Sequence, residues 1–194
     1  MFTSTLVLII PFISIYTKDI TDANYIRPIF AYLLVLAEFM WMIRKPYHDM
    51  VKTVGDFKQT QFGAWVEAII NVVLSIILVL KLGMVGVAIG TLIATLIRTI
   101  ELMYYTSKNI LKRNIWYTFK RLIVIAIEII LIVLLINVIP SVEITNYLNW
   151  TIYAFEVFAI SSLIAFVFEW LIYKENIKTL IKTIKNMKRI EKYE

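Results

Sequence analysis

The stretch Lys81-Leu82-Gly83-Met84-Val85-Gly86-Val87-Ala88-Ile89-Gly90-Thr91 determines the fold class. It separates two apolar runs, residues 62–80 and 84–106, and each run is long enough to cross a bilayer as a helix. Only residues 81–83 lie between the runs, so the connection must be a very short turn. The stretch therefore predicts a transmembrane helical hairpin.

Small residues recur every four positions along the second helix of this hairpin, at Gly86, Gly90 and Ala94. Because residues i and i+4 lie on one face of a helix, this spacing predicts a smooth stripe that another helix can approach closely. These are the predicted helix-packing positions of the chain. In an interaction protein they would form the association surface.

The composition indicates a polytopic membrane protein. The 194 residues are 60% hydrophobic and their mean hydropathy is +0.79. A soluble domain of this size could not bury so much apolar surface. The predicted fold class is therefore an all-α polytopic membrane protein.

The residue inventory argues against an enzyme. Cysteine is absent, which excludes disulfides, thiolate metal sites and cysteine nucleophiles. His48 is the one histidine, so neither a histidine metal centre nor a Ser-His-Asp triad is expected on this chain alone. No Walker motif, Gly-rich nucleotide loop or HExxH motif is present. We expect no enzymatic activity, metal site or cofactor; a transporter would need only a coupling ion, H⁺ or Na⁺.

Six apolar segments predict six transmembrane helices. They are residues 2–16, 28–43, 62–80, 84–106, 119–139 and 150–173. The second helix can continue past Pro46 as far as residue 54, because proline is tolerated as a kink in membrane helices and Gly55 is favoured just after a helix end. Residues 1–173 thus form the transmembrane region. Residues 174–194 form a cytoplasmic tail with apolar residues at helical spacing and lysines between them, which predicts a basic amphipathic helix on anionic lipid; a solvated tail is the alternative.

The distribution of positive charge predicts the orientation. Of the 20 Lys and Arg residues, 16 follow the second, fourth and sixth helices, 3 lie in the other connections, and Arg98 lies within a helix. Cytoplasmic loops are enriched in Lys and Arg, so these segments and both termini are predicted to be cytoplasmic. The net charge of +6 is accordingly assigned to orientation in the cytoplasmic membrane, and nucleic acid is not an expected partner.

Charged residues inside the predicted helices are candidates for function, because each is costly in lipid and needs a partner. With so short a turn, residues equally far from position 82 lie at equal depth, which places Glu67 level with Arg98; Glu38 and Glu101 fall in the same leaflet. In one interpretation Glu67 and Arg98 form a buried interhelical ion pair with Arg98–Glu101 beside it. In the other, these groups line a water-filled cavity that binds a charged substrate or a coupling ion.

Arg44, Lys45, His48 and Arg98 form a cationic set near the predicted cytoplasmic face. Several positive donors in a partly dry site would suit a phosphate or pyrophosphate. The alternative is that Arg44 and Lys45 only follow the positive-inside bias and extend to the interface. Asn71 falls one helical turn from Glu67, on the same face. The candidate cavity or substrate-binding residues are Arg44, Lys45, His48, Glu38, Glu67, Asn71, Arg98 and Glu101.

Four motifs together resemble one family. They are Pro46-Tyr47, Gly55-Asp56-Phe57-Lys58-Gln59-Thr60-Gln61, Glu67-Ala68-Ile69-Ile70-Asn71-Val72-Val73-Leu74-Ser75 and Leu82-Gly83-Met84-Val85-Gly86-Val87-Ala88-Ile89-Gly90-Thr91. In this order the chain resembles the C-terminal part of oligosaccharide flippases of the Wzx type. These belong to the MOP exporter superfamily, with the MATE drug antiporters and the lipid II flippases. The resemblance is strongest over residues 24–112.

The resemblance implies both an architecture and a function. The six helices would be the last six of a fourteen-helix flippase, so the chain is expected to be a fragment, or to need a separate polypeptide that supplies the N-terminal lobe. Such flippases move undecaprenyl-pyrophosphate-linked oligosaccharide outward across the bacterial cytoplasmic membrane by alternating access, for O-antigen, capsule or other polysaccharide biosynthesis. The implied partners are membrane lipid and the lipid-linked oligosaccharide.

Two alternatives belong to other functional classes. The chain could be a non-transporting membrane interaction protein or a remnant, in which the basic tail and the Gly86/Gly90 stripe mediate association. It could also be a fragment of a MATE-like drug or cation antiporter, in which Glu38 or Glu67 would be a proton or Na⁺ site. The cationic set favours an anionic oligosaccharide carrier over a drug.

Overall fold

The structure is a computed structural model that describes residues 2–138, 144–174, 179, 182 and 183. The described part of the chain is all-helical. Its helices are α1 (Phe2–Tyr16), α2 (Pro28–Val54), α3 (Phe57–Leu82), α4 (Met84–Tyr105), α5 (Trp116–Val138) and α6 (Tyr147–Ile172). A π-helical turn, Thr106–Ile110, continues α4. The predicted amphipathic helix at residues 174–194 falls almost entirely outside the described residues.

Three segments are long and apolar enough to cross a membrane within the described ranges: Phe57–Leu82, Met84–Ile110 and Tyr147–Ile172. This supports the all-α class and is compatible with a membrane protein, whereas a full set of six spans stays a prediction. Many large apolar side chains face outward. Phe62, Leu80 and Val138 are 77%, 84% and 81% exposed, as expected for surfaces that contact lipid instead of water.

The helices form two groups. In the α2–α4–α3 unit, α4 packs along both α3 and α2, while α2 and α3 barely touch each other. Burial agrees: nine residues of α4 are buried, against Thr60 and Gly63 in α3. In the α1–α5–α6 unit, α6 packs against α1 and α5, and α1 joins the two units through its contact with α2. The central helix of the first unit is therefore α4.

Two glycines determine where the helices of the first unit end. Gly55, with φ of 82°, takes the left-handed conformation after α2 and donates its amide to the Val51 and Lys52 carbonyls, so α2 runs through Pro46 to Val54. Gly83, with φ of 58° and ψ of −139°, is the whole connection between α3 and α4. Both conformations strain residues with a Cβ. The turn of the hairpin is thus one residue long.

The small-residue stripe of α4 is buried inside the chain. A Cβ added to Gly86 would collide with the backbone of Leu78, and one added to Gly90 would lie 2.7 Å from the Ser75 hydroxyl and 2.9 Å from the Ser75 amide nitrogen. Ala94 is 1% exposed. The stripe at Gly86 and Gly90 therefore packs the hairpin itself, and this part of it is not free to bind another protein.

Candidate functional site

Four charged side chains meet where α2, α3 and α4 come together, and we call them the ion network. Arg44 of α2 donates from Nη1 to Oε1 of Glu67 on α3 over 2.6 Å. Arg98 of α4 lies with Nε 3.9 Å from Glu67 Oε2 and donates from Nη1 to Glu101 Oε2 over 2.6 Å. The order of charges is Arg44, Glu67, Arg98, Glu101, so each arginine has a carboxylate beside it.

The two arginines of the network are the members best shielded from solvent. The side chains of Arg98 and Arg44 are 6% and 14% exposed, whereas those of Glu67 and Glu101 are 25% and 37% exposed. Breaking a buried ion pair by removing one partner typically costs about 3–5 kcal/mol, since the other charge is left uncompensated. Loss of any single member should therefore weaken the packing of α2, α3 and α4.

The sequence placed Glu67 level with Arg98, and the structure brings the two groups together. The nearest partner of Glu67, however, is Arg44, at 2.6 Å against 3.9 Å for Arg98. That contact requires α2 to continue as a helix past residue 43 and to lean on α4, and the crossing of α2 over α4 has no local sequence signal. Arg98–Glu101 is present as an i, i+3 pair.

Gly63 is a network residue that the sequence did not single out. The Arg98 guanidinium and the Glu101 carboxylate pack directly on its Cα, and a Cβ there would overlap both. Gly63 is itself buried. Because it has no side chain, α3 can lie against the ion pair of α4. The sequence held one signal for this role: Gly63 lies one helical turn before Glu67 and on the same face of α3.

Further polar contacts flank the ion network along α3 and α4. The side-chain oxygen of Asn71 accepts from Ser75 over 3.2 Å and from Thr91 over 3.3 Å. On the other side of α4, Thr99 donates to the Met40 carbonyl of α2, 3.2 Å away, or to its own Thr95 carbonyl at 2.7 Å. The structure thus places Asn71 in a hairpin contact next to the network.

His48 lies one turn beyond Arg44 on α2 and is half-buried. Burial lowers its pKa below the ordinary 6.5, and the nearby charges of Lys52, Arg44 and Arg98 lower it further, against the opposing effect of Asp49. The imidazole is therefore neutral at pH 7. It can donate or accept one hydrogen bond beside two arginines, and an added anion would favour its protonation.

Two candidate residues lie away from the network. Lys45 is exposed and extends its amino group over the Trp41 ring, with Nζ 5.8 Å from the centroid, which is typical of a cation at an interface. Glu38 lies on the opposite side of α2, in a groove against α1 and α6. The cavity interpretation grouped Glu38 with Glu67 and Arg98 by depth, which stays a prediction. Glu38 lines a different groove, because six residues turn a helix by about 240° relative to Arg44.

An apolar groove of about 480 Å³ adjoins the network. It is lined by residues of α2, α4 and α5, together with Phe2 of α1. Met40 and Ile43 of α2 and Thr99 of α4 line it, and they neighbour Arg44 and Arg98 in sequence. The helices α2 and α4 therefore carry the charged network on one face and the apolar groove on another.

The arrangement places two guanidinium groups beside an apolar groove. In the described ranges no group of three or more His, Cys, Asp or Glu side chains could hold a metal ion. The arginines supply planar donors for a phosphate or carboxylate, and their present partners, Glu67 and Glu101, are themselves carboxylates. The comparisons add no family to this picture: no protein-family model, curated protein or solved structure matches the chain.

Proposed function

We propose that this chain is part of a membrane transporter that flips an undecaprenyl-pyrophosphate-linked oligosaccharide across the cytoplasmic membrane by alternating access. The observation that carries the proposal is the side-by-side placement of the ion network and the apolar groove on α2 and α4. An anionic head joined to a long hydrocarbon chain needs both surfaces within one molecule's reach. The motif pattern of residues 24–112 supports the same substrate class.

The head group has donors in the network. Arg44 and Arg98 both approach Glu67, so one anionic position is shared by two guanidinium groups. A pyrophosphate that took this position would form charge-assisted, bidentate hydrogen bonds to them. Glu67 holds the position in the absence of substrate, which keeps the two arginines from being buried unpaired.

The lipid part has the groove. Its volume of about 480 Å³ lies within the usual range for small-molecule sites of about 300–1,000 Å³, enough for several isoprene units. Its lining is almost wholly aliphatic and aromatic, with residues such as Leu96, Phe119 and Ile129. Because the isoprenoid chain enters the groove from lipid and not from water, the groove would hold it by van der Waals packing, with little hydrophobic free energy.

The interaction-protein alternative loses one of its two supports. Its association surface was the Gly86/Gly90 stripe, and α3 of the same chain covers that stripe at Leu78 and Ser75. The tail that would provide the other support lies mostly outside the described residues. The flippase proposal uses features on the other faces of α2 and α4 and does not need the stripe.

The test compares two lipids that differ only in charge. The purified chain in nanodiscs is exposed to undecaprenyl pyrophosphate or to undecaprenol, and bound lipid is counted by native mass spectrometry. We expect at least about tenfold preference for the pyrophosphate, which corresponds to a net gain of about 1.4 kcal/mol over the displaced Glu67 contacts. Equal binding of both lipids would contradict an anion site and leave only a hydrocarbon groove.

A matched pair of variants locates the preference. Arg44→Gln with Glu67→Gln removes one donor and its internal partner together, so no charge is left unpaired, and it should reduce the preference to a few fold. Lys45→Gln removes a cation from the same turn of α2 but outside the network, and it should leave the preference unchanged. The proposal fails if the two variants behave alike.

A further inference from the structure

We propose that the chain has a second binding site, for a lipophilic monovalent organic cation, in the groove that contains Glu38. This groove of about 680 Å³ lies between α1, α2 and α6, on the face of α2 turned away from the ion network. It shares no ionised group with the network. Its ligand would be of opposite charge to the one proposed for Arg44 and Arg98.

Charge is the first argument. Glu38 is exposed, and among the described residues it is the one ionisable side chain that lines the groove. Among the described residues it has neither an ion pair nor a hydrogen bond, unlike Glu67 and Glu101. An ionised carboxylate among apolar helices is costly unless a positive group pairs with it. A bound cation would supply that group.

The walls are the second argument. Five aromatic rings face the groove: Phe2, Phe12, Phe39, Trp150 and Phe158. Aromatic faces attract cations whose charge is spread over a large apolar body, and such cations are cheap to remove from water. A small hydrated ion such as Na⁺ would find few oxygen ligands here, since cations of that kind need several.

The rings are held in place before any ligand arrives. Phe2 and Phe39 stack with centroids 4.0 Å apart, and Phe12 lies 5.2 Å from the Trp150 ring. The indole of Trp150 donates to the Leu8 carbonyl over 3.3 Å. Phe2 and Phe39 also line the apolar groove beside the ion network, so this stacked pair is the wall between the two sites.

One polar atom inside the groove is unsatisfied. Ser4 lines it, is 7% exposed, and its hydroxyl has no hydrogen-bond partner. Buried hydroxyls are normally paired, and a ligand heteroatom would satisfy this one. The groove volume is also that of a drug-sized molecule and too small for a segment of a partner helix several turns long. The occupant is therefore a compact organic cation.

Two probes of nearly one shape and opposite charge test this site: tetraphenylphosphonium and tetraphenylborate. Binding of each to the purified full chain in nanodiscs is measured by equilibrium dialysis against empty nanodiscs. We expect one saturable phosphonium site in the native chain, and any saturable borate binding should depend on the ion network and be lost in the Arg44→Gln/Glu67→Gln variant. No saturable phosphonium binding, or saturable borate binding that survives in that variant, would overturn the proposal.

Variants assign the site. Glu38→Gln should weaken phosphonium binding about tenfold or more, and Glu38→Asp should retain most of it. Glu156→Gln removes a carboxylate on α6 outside the groove lining, and its affinity should equal that of the native chain. Trp150→Leu should weaken binding several-fold and Trp150→Phe should not. Unchanged affinity in Glu38→Gln, with helical content preserved by circular dichroism, would contradict the assignment.

Discussion

The α2–α4–α3 unit and the α1–α5–α6 unit are stabilised in different ways. In the first, helices meet at glycines and at paired charges: Gly86 and Gly90 against α3, Gly63 against the Arg98–Glu101 pair. In the second, the core consists of aliphatic side chains around Ile132, Ile136 and Val157. Between lipid-facing helices, apolar contact alone gives little specificity, whereas close backbone approach and polar pairs specify one partner and one register. The unit with specific contacts is also the one that carries the ion network.

The largest effect should come from removing Arg98. Arg98→Met removes a side chain that is 6% exposed, but Glu67 keeps Arg44 and the side chain of Glu101 is 37% exposed. The free energy of unfolding should therefore fall by roughly 2–3 kcal/mol, less than for a fully buried pair. The measurement is unfolding in mixed micelles with rising dodecyl sulfate, followed by circular dichroism. Lys45→Met, on exposed α2 surface, should change it by less than about 0.5 kcal/mol. A loss below 1 kcal/mol for Arg98→Met would remove the distinction between the units.

Gly63→Ala should come next. The new methyl group would overlap the Arg98 guanidinium and the Glu101 carboxylate, so the ion pair must move away from α3, at a cost of about 1–3 kcal/mol. Ala64→Leu is the control, since residue 64 is exposed on the same helix, and it should have little effect. If Gly63→Ala proves neutral or stabilising, α3 does not pack on the ion pair as described.

A pair of hydroxyl deletions compares the units directly. Thr99 of α4 bonds the Met40 carbonyl or its own helix and is 1% exposed, so Thr99→Ala should cost about 1 kcal/mol or more. Ser161 of α6 is 4% exposed and its hydroxyl has no partner, so Ser161→Ala should be neutral or slightly stabilising. The same unfolding measurement applies. Equal losses at both positions would show that polar pairing does not distinguish the units.

The smallest effect concerns pH. The pKa of His48 lies below 6.5 in the folded chain, first because of burial and then because of nearby cations, while the unfolded chain titrates near the ordinary value. The unfolded state thus binds the proton first, and the free energy of unfolding should fall as pH drops below about 6.5 and level off below the folded pKa. Unfolding of the native chain and of His48→Gln from pH 8 to 5 should diverge in that window. Parallel curves would place His48 outside the influence of the network.

The hairpin was predictable because its signals are local. Two apolar runs joined at Gly83 allow few other structures, and equal depth on either side of the turn brought Glu67 to Arg98. Gly55 likewise indicated where α2 ends. Each of these inferences depends on residues within one helix or one turn.

The rest of the site depends on how distant helices cross. Whether Arg44 reaches Glu67 is decided by the packing of α2 on α4, for which the sequence offers no rule. The role of Gly63 follows only once the Arg98 side chain is known to lie across it. The position of Glu38, by contrast, could have been found: its angular separation from Arg44 on one helix follows from 3.6 residues per turn.

The account depends most on the Arg44–Glu67 contact, because it joins α2 to the hairpin and defines the shared anion position. A double-mutant cycle with Arg44→Gln, Glu67→Gln and both together measures it by unfolding in mixed micelles. The account predicts a coupling energy of about 1–3 kcal/mol. The stability lost in the double variant should be smaller than the sum of the losses in the two single variants. Additive losses, with coupling near zero, would contradict it.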